Sequence, residues 1–237
     1  MLSLSIVSHC QSKLIKPLLD DLRRLALPDI EVLITVNTPE DETPFQDLPF
    51  PSRIIRNPTP QGFGANHNAA FAQSKGQFFV VVNPDIRLPS LNVDQLLEPM
   101  RDPKVAAVAP VVLNPAGCIE DSVRRFPTIA SLARRVLFTK RAPEYEWKMH
   151  PIDVDWSAGM FVVFRRESYQ AVQGFDHQRF FMYLEDVDIC RRLKEKGWRI
   201  VLQPEVSVFH DAQRASHRSF KHMRWHLTSV IRYFTGF

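Results

Sequence analysis

Phe78–Val82 (FFVVV) is apolar at every position and stops abruptly at Asn83-Pro84-Asp85. A run apolar on both alternations reads as a central strand covered by helices on each face. The chain before it agrees with that reading. Leu2, Leu4 and Ile6 alternate with Ser3, Ser5 and Ser8, the period-2 pattern of a strand. Residues 13–25 carry Leu14, Leu18, Leu22 and Leu25 at helical spacing, with Pro17 compatible only with the first turn. Residues 31–36 (EVLITV) form a second strand and 52–55 a short third. Residues 61–75 read as a helix whose Ala65, Ala69 and Ala72 suit close packing on a sheet. This alternation predicts an α/β fold with a largely parallel sheet. Ligands on such sheets bind beyond the carboxyl ends of the strands, which points to the polar segments 8–10, 37–42, 57–68 and 83–87.

The second half is less regular. Residues 110–151 hold scattered strand signals and a basic, partly helical stretch (SLARRVLFTKRAP), read as a substrate-facing excursion. Strands are predicted at 160–164 and 199–202, and a helix at 185–196 ended by Gly197. With no internal repeat, low-complexity tract or linker, the 237 residues count as one domain. The three cysteines, Cys10, Cys118 and Cys190, form no CxxC pair, which excludes a disulfide scaffold and a cysteine zinc site and suits a reducing compartment. No apolar run reaches the roughly 18–20 residues of a membrane span, and the N-terminus lacks a basic leader. The expectation is a soluble or membrane-surface protein of the cytosol. A formal charge of +4 spread along the chain, without a stacking array, argues against nucleic acid.

Several segments can carry chemistry. Asp85, projecting from the end of FFVVV, can hold a divalent cation, since Mg²⁺ and Mn²⁺ prefer oxygen ligands shared with substrate phosphates; an ordinary Asn-Pro-Asp turn closing a strand is the alternative. Gly62 and Gly64 at a helix start either admit an anion to the helix N-terminus or merely shape a loop. The run Phe180-Phe181-Met182-Tyr183-Leu184 delivers Glu185, Asp186 and Asp188 to the first turn of a helix. Acids there complement the helix dipole and need no further role, yet Phe181 and Tyr183 would give a general base an apolar wall. Asp188 is expected to serve the helix or an arginine such as Arg192. His210 is either a metal ligand or a satisfied polar residue. The last helix sets Phe220, Met223, Leu227, Val230, Ile231 and Phe234 opposite Lys221, Arg224 and Arg232, which suits docking on the domain or lying on an anionic membrane.

Together SIVSH, NPTPQGFGANHNAAF, FFVVVNPD, DWSAGMFVVFRRESYQAVQGFDHQRFFMYLEDVDICRRLKEKGW and the VFH strand resemble glycosyltransferase family 2, in its bacterial rhamnosyltransferase-like branch. The resemblance spans nearly the whole chain. It implies a GT-A fold, a single Rossmann-like α/β domain with a mostly parallel mixed central sheet flanked by helices. The organisation that follows is a nucleotide-sugar half over 1–110, an acceptor and catalytic half over 111–218, and an amphipathic helix over 219–237. The implied activity is metal-dependent, inverting transfer of a sugar from a nucleotide-diphosphate donor to a saccharide acceptor, commonly lipid-linked, in cell-surface polysaccharide synthesis at the cytosolic membrane face.

Residue by residue, Asn83 and Asp85 match a DxD-like motif, with Asp85 on Mg²⁺ or Mn²⁺ and His210 completing its shell. Asp186, with Glu185 beside it, matches the acidic pair that supplies the base. Ser8, Asn37, Asn57 and Asn68 fall where the family contacts the nucleotide, and Trp156, Ser157, Ala158 and Gly159 beside donor sugar and acceptor. Where many relatives have Asp and a Ser-rich turn, this chain has Asn37-Thr38-Pro39-Glu40-Asp41, leaving Asn37 or Glu40 to read the base. Arg124, Arg125, Arg134, Arg135, Lys140 and Arg141 could meet lipid phosphates. Two other classes compete. A nucleotidyltransferase would show a Gly-rich basic loop after the first strand, where Ser8-His9-Cys10-Gln11-Ser12 has no glycine. A non-catalytic nucleotide-sugar-binding protein would not need Asp85, Glu185, Asp186 and His210 together.

Overall fold

The computed structural model describes residues 1–128, 144–145, 149–211 and 220–236, with only the backbone of 220 and 221. The whole basic stretch 131–143, with Arg134, Arg135, Lys140 and Arg141, lies outside the described residues, as do the side chains of Phe220 and Lys221. In chain order the strands are β1 (Leu2–Ser8), β2 (Ile30–Val36), β3 (Ser52–Arg56), β4 (Phe78–Val82), β5 (Ile86–Arg87), β6 (Val105–Leu113), β7 (Val123–Arg124), β8 (Ile152–Val154), β9 (Trp156–Ser157), β10 (Phe161–Arg165) and β11 (Arg199–His210). The helices are α1 (Ser12–Leu25), α2 (Phe63–Gln73), α3 (Val93–Leu97), α4 (Arg166–Ala171), α5 (Glu185–Glu195) and α6 (Phe220–Thr235).

The main sheet runs β3-β2-β1-β4-β10-β6-β11-β5, with β8 also on β11. β1 to β4 are parallel. β10 then enters antiparallel between β4 and β6, so its first residue, Phe161, faces Val82, the last of β4. β11 continues well past the predicted 202, with a register shift between Gln203 and Ser207, and delivers His210 to the edge where β4 ends.

Alternate residues of β4 and β10 enter two separate cores, as period-2 side chains must. Val80, Val82, Phe161 and Val163 join α1 on one face, and Phe79, Val81, Val162 and Phe164 join Tyr169, Phe175, Val187 and Leu193 on the other. The serines of β1 are buried too. Ser5 Oγ lies 2.8 Å from His67 Nδ1 on α2, and Ser3 Oγ donates to Glu31 at 2.6 Å. Two local expectations change. Pro17 sits in the second turn of α1, where its missing N–H leaves the carbonyl of exposed Lys13 to solvent. The packing face of α2 is Gly64, His67 and Ala70, not Ala69 and Ala72, which are exposed. α6 docks with Ser229 and Tyr233 buried, while Met223, Leu227, Ile231 and Phe234 face outward. Among the described residues no helix is long and apolar enough to cross a membrane.

Candidate active site

The turn after β4 is both a turn and a presentation device. Asn83 N donates to Met160 O at 2.8 Å and Ile86 N to Asn83 O at 3.3 Å, while Asp211 N donates to Asp85 O at 2.9 Å. These bonds lock Asp85 against the end of β11, and His210 Nε2 lies 3.3 Å from a carboxylate oxygen of Asp85. His210 Nδ1 meets Glu120 Oε2 at 2.7 Å. Burial opposes protonation of this imidazole, but the carboxylates of Asp85 and Glu120 outweigh it and push the pKa up to about 9. Sequence reading missed Glu120 because it lies in an aperiodic loop, brought to His210 only by the pairing of β6 with β11. Asp85 Oδ1 is buried without a hydrogen-bond partner. No three His, Cys, Asp or Glu side chains form a ready-made metal cage among the described residues. A carboxylate oxygen with an imidazole beside it suits instead a hard cation that completes its shell from substrate phosphates.

The acidic pair is set by backbone geometry. Tyr183 (φ 73°) and Leu184 (φ 65°) are both left-handed, and this reversal turns Glu185 and Asp186 inward at the start of α5. Asp186 Oδ2 accepts from Gly159 N at 3.2 Å and Oδ1 from Val187 N at 2.9 Å. Burial raises the pKa of both carboxyls. Glu185 is shifted further, because burial and the Asp186 charge act on it while its Oε2 has no partner. The backbone N–H groups and the field of Arg124 restrain the rise at Asp186. Of the two, Asp186 is the member whose surroundings better support a charge, and Glu185 the one that protonates more readily. Phe181 does not wall the pair. It is 38% exposed and stacks on Trp225 of α6, centroids 4.8 Å apart. Tyr183 does stand near Glu185, whose charge adds to burial in raising the phenol pKa. Asp188 is taken by Arg192 at 2.7 Å and Arg179 at 3.6 Å.

Along the other side, β9 pairs with β7, placing Arg124 opposite Trp156. Trp156 is buried with Nε1 donating to Arg125 O at 2.9 Å, and Ala158 N donates to Ser122 O at 2.7 Å. Arg124, a second residue whose place here the sequence did not reveal, lies over the Trp156 ring and pairs with Asp121 at 2.7 Å. Asp85 Oδ1, Ser122 Oγ, Arg124 Nε and Glu185 Oε2 are buried polar atoms without partners. They fall along one connected run of contacts, where unsatisfied groups mark a ligand site.

The amide cluster behaves differently. Asn37 Oδ1 accepts from Asn57 Nδ2 and Gln61 N, each at 2.8 Å, and its Nδ2 serves Gln61 O and His9. That saturates Asn37, while Asn57 also donates to Asn66 at 2.6 Å. Ser8 Oγ accepts from Gln11 N at 3.2 Å. Glu40 Oε2 accepts from Ser12 N at 2.7 Å, whereas its Oε1 is buried without a partner. Asn68 is not brought to this group. Its Oδ1 accepts from Tyr169 OH at 2.7 Å and Phe175 N at 3.0 Å, and its Nδ2 donates to Phe175 O at 2.8 Å. The two glycines of α2 are packing residues: a Cβ on Gly62 would meet the Phe181 carbonyl, and one on Gly64 the Phe175 side chain. That carbonyl already takes Phe63 N at 3.1 Å, so this helix N-terminus is partly filled by protein.

Comparison with known proteins completes the description. A family model described as glycosyltransferase like family 2 matches residues 2–228. A rhamnosyltransferase, WbbL of Escherichia coli K12, is 31% identical, with 98% of this chain aligned to 92% of that protein. N-acetylglucosaminyl-diphospho-decaprenol L-rhamnosyltransferase of Mycobacterium tuberculosis is 28% identical over 80% of this chain and 69% of its own. Among solved structures, a mannosyltransferase of Pyrobaculum calidifontis in complex with GDP-Man and Mn²⁺ superposes with a TM-score of 0.64 at 17% identity. It covers 98% of this chain, which spans 64% of that structure's chain. The shared architecture is the GT-A fold.

Proposed function

The chain belongs to glycosyltransferase-like family 2, and on that premise we propose that it transfers rhamnose from a nucleotide-diphosphate donor to a lipid-linked saccharide, with inversion at the anomeric carbon. The acidic pair carries this reading: Asp186, its carboxylate held by Gly159 N and Val187 N, stands beside Glu185 on the sheet edge that also presents Asp85 and His210. The names of the E. coli and M. tuberculosis relatives support the sugar and, for the second, the acceptor class.

Asp186 is the general base. It takes the acceptor hydroxyl proton as the new oxygen–carbon bond forms on one face of the sugar. On the opposite face the carbon–oxygen bond to the diphosphate breaks, and its electron pair leaves with the phosphate. Burial and the neighbouring Asp186 favour the neutral form of Glu185, which limits the charge facing the approaching hydroxyl. Asp85, and His210 once it has given up its proton, would hold a Mg²⁺ or Mn²⁺ ion, which when bound neutralises charge on the departing diphosphate. Trp156, Ser157, Ala158 and Gly159 border the sugar, with Arg124 as a cation at the same edge. Asn37, Asn57 and Asn83 shape the nucleotide end, and Ser8 holds the turn into α1. The free oxygen of Glu40 is the better placed base reader, because the Asn37 amide is already spent. Exposed, unpaired Cys10 and Cys118 suit work on the cytosolic side of the membrane.

The test pairs donor binding with transfer over a panel of dTDP-, UDP- and GDP-sugars, in Mn²⁺ and in EDTA. Asp186→Asn is expected to keep the donor Kd within about threefold while transfer falls by roughly 10²–10⁴. The acid limb of wild-type kcat/KM should lie above the usual carboxylate range, because a raised Asp186 pKa means the base is lost on acidification sooner. Near-normal turnover by Asp186→Asn would move the base elsewhere, and transfer indifferent to EDTA would remove the metal from the scheme.

A further inference from the structure

Helix α6 has two faces with opposite employment. One grips the loop that leads to the acidic pair. Trp225 rests on Phe181, Ser229 Oγ donates to Met182 O at 2.9 Å, and His222 Nδ1 meets Tyr183 OH at 2.7 Å. Arg232 and Arg179 exchange guanidinium-to-carbonyl bonds at 2.6 and 2.8 Å. The loop from 179 to 183 is thus clamped to one helix immediately before Glu185.

The other face carries Met223, Leu227, Ile231 and Phe234, exposed by 62, 60, 54 and 37%. Spacings of four, four and three place them in one stripe along the helix, and exposed Arg224 borders it. Scattered surface apolar residues are ordinary, but four large ones in a line are a contact surface. Charge identifies the partner. From residue 212 to the end the sequence holds Arg214, Arg218, Lys221, Arg224 and Arg232 and no Asp or Glu. A second copy meeting this face through two-fold symmetry would bring two purely basic segments together. An anionic bilayer satisfies both the stripe and the cations, as interfacial helices do.

We propose that α6 lies in the plane of an anionic membrane with the 223/227/231/234 stripe in the headgroup–acyl boundary. Because its opposite face clamps the catalytic loop, this seating holds the acidic pair about one helix diameter, roughly 10 Å, above the lipid. An acceptor sugar on a lipid tail would meet the base there; that purpose rests on the lipid-linked reading above, whereas vesicle binding itself does not.

The experiment is co-sedimentation with vesicles of phosphatidylglycerol and phosphatidylcholine (equal parts) against pure phosphatidylcholine, at low and high salt. Wild type is expected to partition at least about tenfold more strongly onto the anionic vesicles, with binding weakened as salt screens the charges. Leu227→Ser/Ile231→Ser should lose about tenfold or more, and Arg224→Gln about fivefold. Both apolar sites are more than half exposed, so an unchanged Tm serves as the folding control. Equal binding by the double variant, or no preference for anionic vesicles, overturns the proposal. So does a solution dimer that the double variant dissociates, since a second copy would then own the stripe. Vesicle binding without sugar transfer would leave this inference standing and refute the functional one; transfer without vesicle binding would do the reverse.

Discussion

Asn68→Ala separates a structural from a ligand-binding role at a position where sequence resemblance and geometry disagree. The Asn68 amide joins α2 to α4 and the segment after it through three hydrogen bonds to Tyr169 OH, Phe175 N and Phe175 O, with a longer, exposed contact from Nδ2 to His177 Nδ1 at 3.3 Å. Tyr169 is 1% exposed, and burial holds its phenol well above the ordinary range, so its hydroxyl has no ready substitute partner. Three hydrogen bonds at about 1 kcal/mol net each give a loss of about 3 kcal/mol. Asn68 itself is partly exposed, and water entering there should recover a fraction, leaving about 2–3 kcal/mol. For a domain of this size that lowers Tm by roughly 5–10 °C. Tyr169→Phe, which removes one of the three bonds, should cost about 1 kcal/mol. Donor affinity, measured by calorimetry well below the transition, should stay within about twofold, because every Asn68 bond points away from the amide cluster. A Tm within about 2 °C of wild type, together with a tenfold weaker donor Kd, would refute the reasoning and return Asn68 to the nucleotide.

Two further perturbations probe the frame around the site. His67 is 1% exposed, and burial lowers its pKa to about 3, so below pH 6.5 the unfolded chain takes up a proton that the folded chain does not. Stability must then fall with acidification, by about 2 kcal/mol between pH 6.5 and 5. His67→Gln should remove that part of the slope in urea midpoints, and an unchanged slope would show that the imidazole is not held neutral. Gly62→Ala should cost about 1–3 kcal/mol by driving Cβ into the Phe181 carbonyl, and it should slow transfer as well, since Phe181 lies just upstream of Glu185. Wild-type rate and stability together would mean that this contact is slack.

Much of the frame was legible because it rests on local periodicity. The doubly buried FFVVV strand, the first three parallel strands and the helix at 185 all declare themselves by spacing. The stop at Asn83-Pro84-Asp85 likewise marks where Asp85 would emerge. What stayed hidden depends on contacts between distant segments. Glu120 and Arg124 sit in aperiodic stretches and reach the site only through the β6–β11 and β7–β9 pairings. The glycines at the start of α2 could be read as an anion cradle or as loop-shaping residues, since nothing local shows that a carbonyl from residue 181 presses on the first of them. The two readings of the last helix, docking or membrane, could not be separated locally for a similar reason. A hydrophobic stripe ordinarily faces inward, but here aromatic, hydroxyl and guanidinium groups on the opposite side find specific partners on the 179–183 loop.

Among the described residues β10 is the one strand in the middle of the main sheet that runs against both neighbours. Its beginning therefore abuts the tip of β4, and the Gly159 amide that holds Asp186 lies two residues from a rung shared with Val82. In the proposed scheme, the grip on the leaving group and the activation of the incoming one would thus hang from a single hydrogen-bonded ladder. The distance between Asp85 and Asp186 is thereby set by a rigid pair of strands rather than by the loops that carry them.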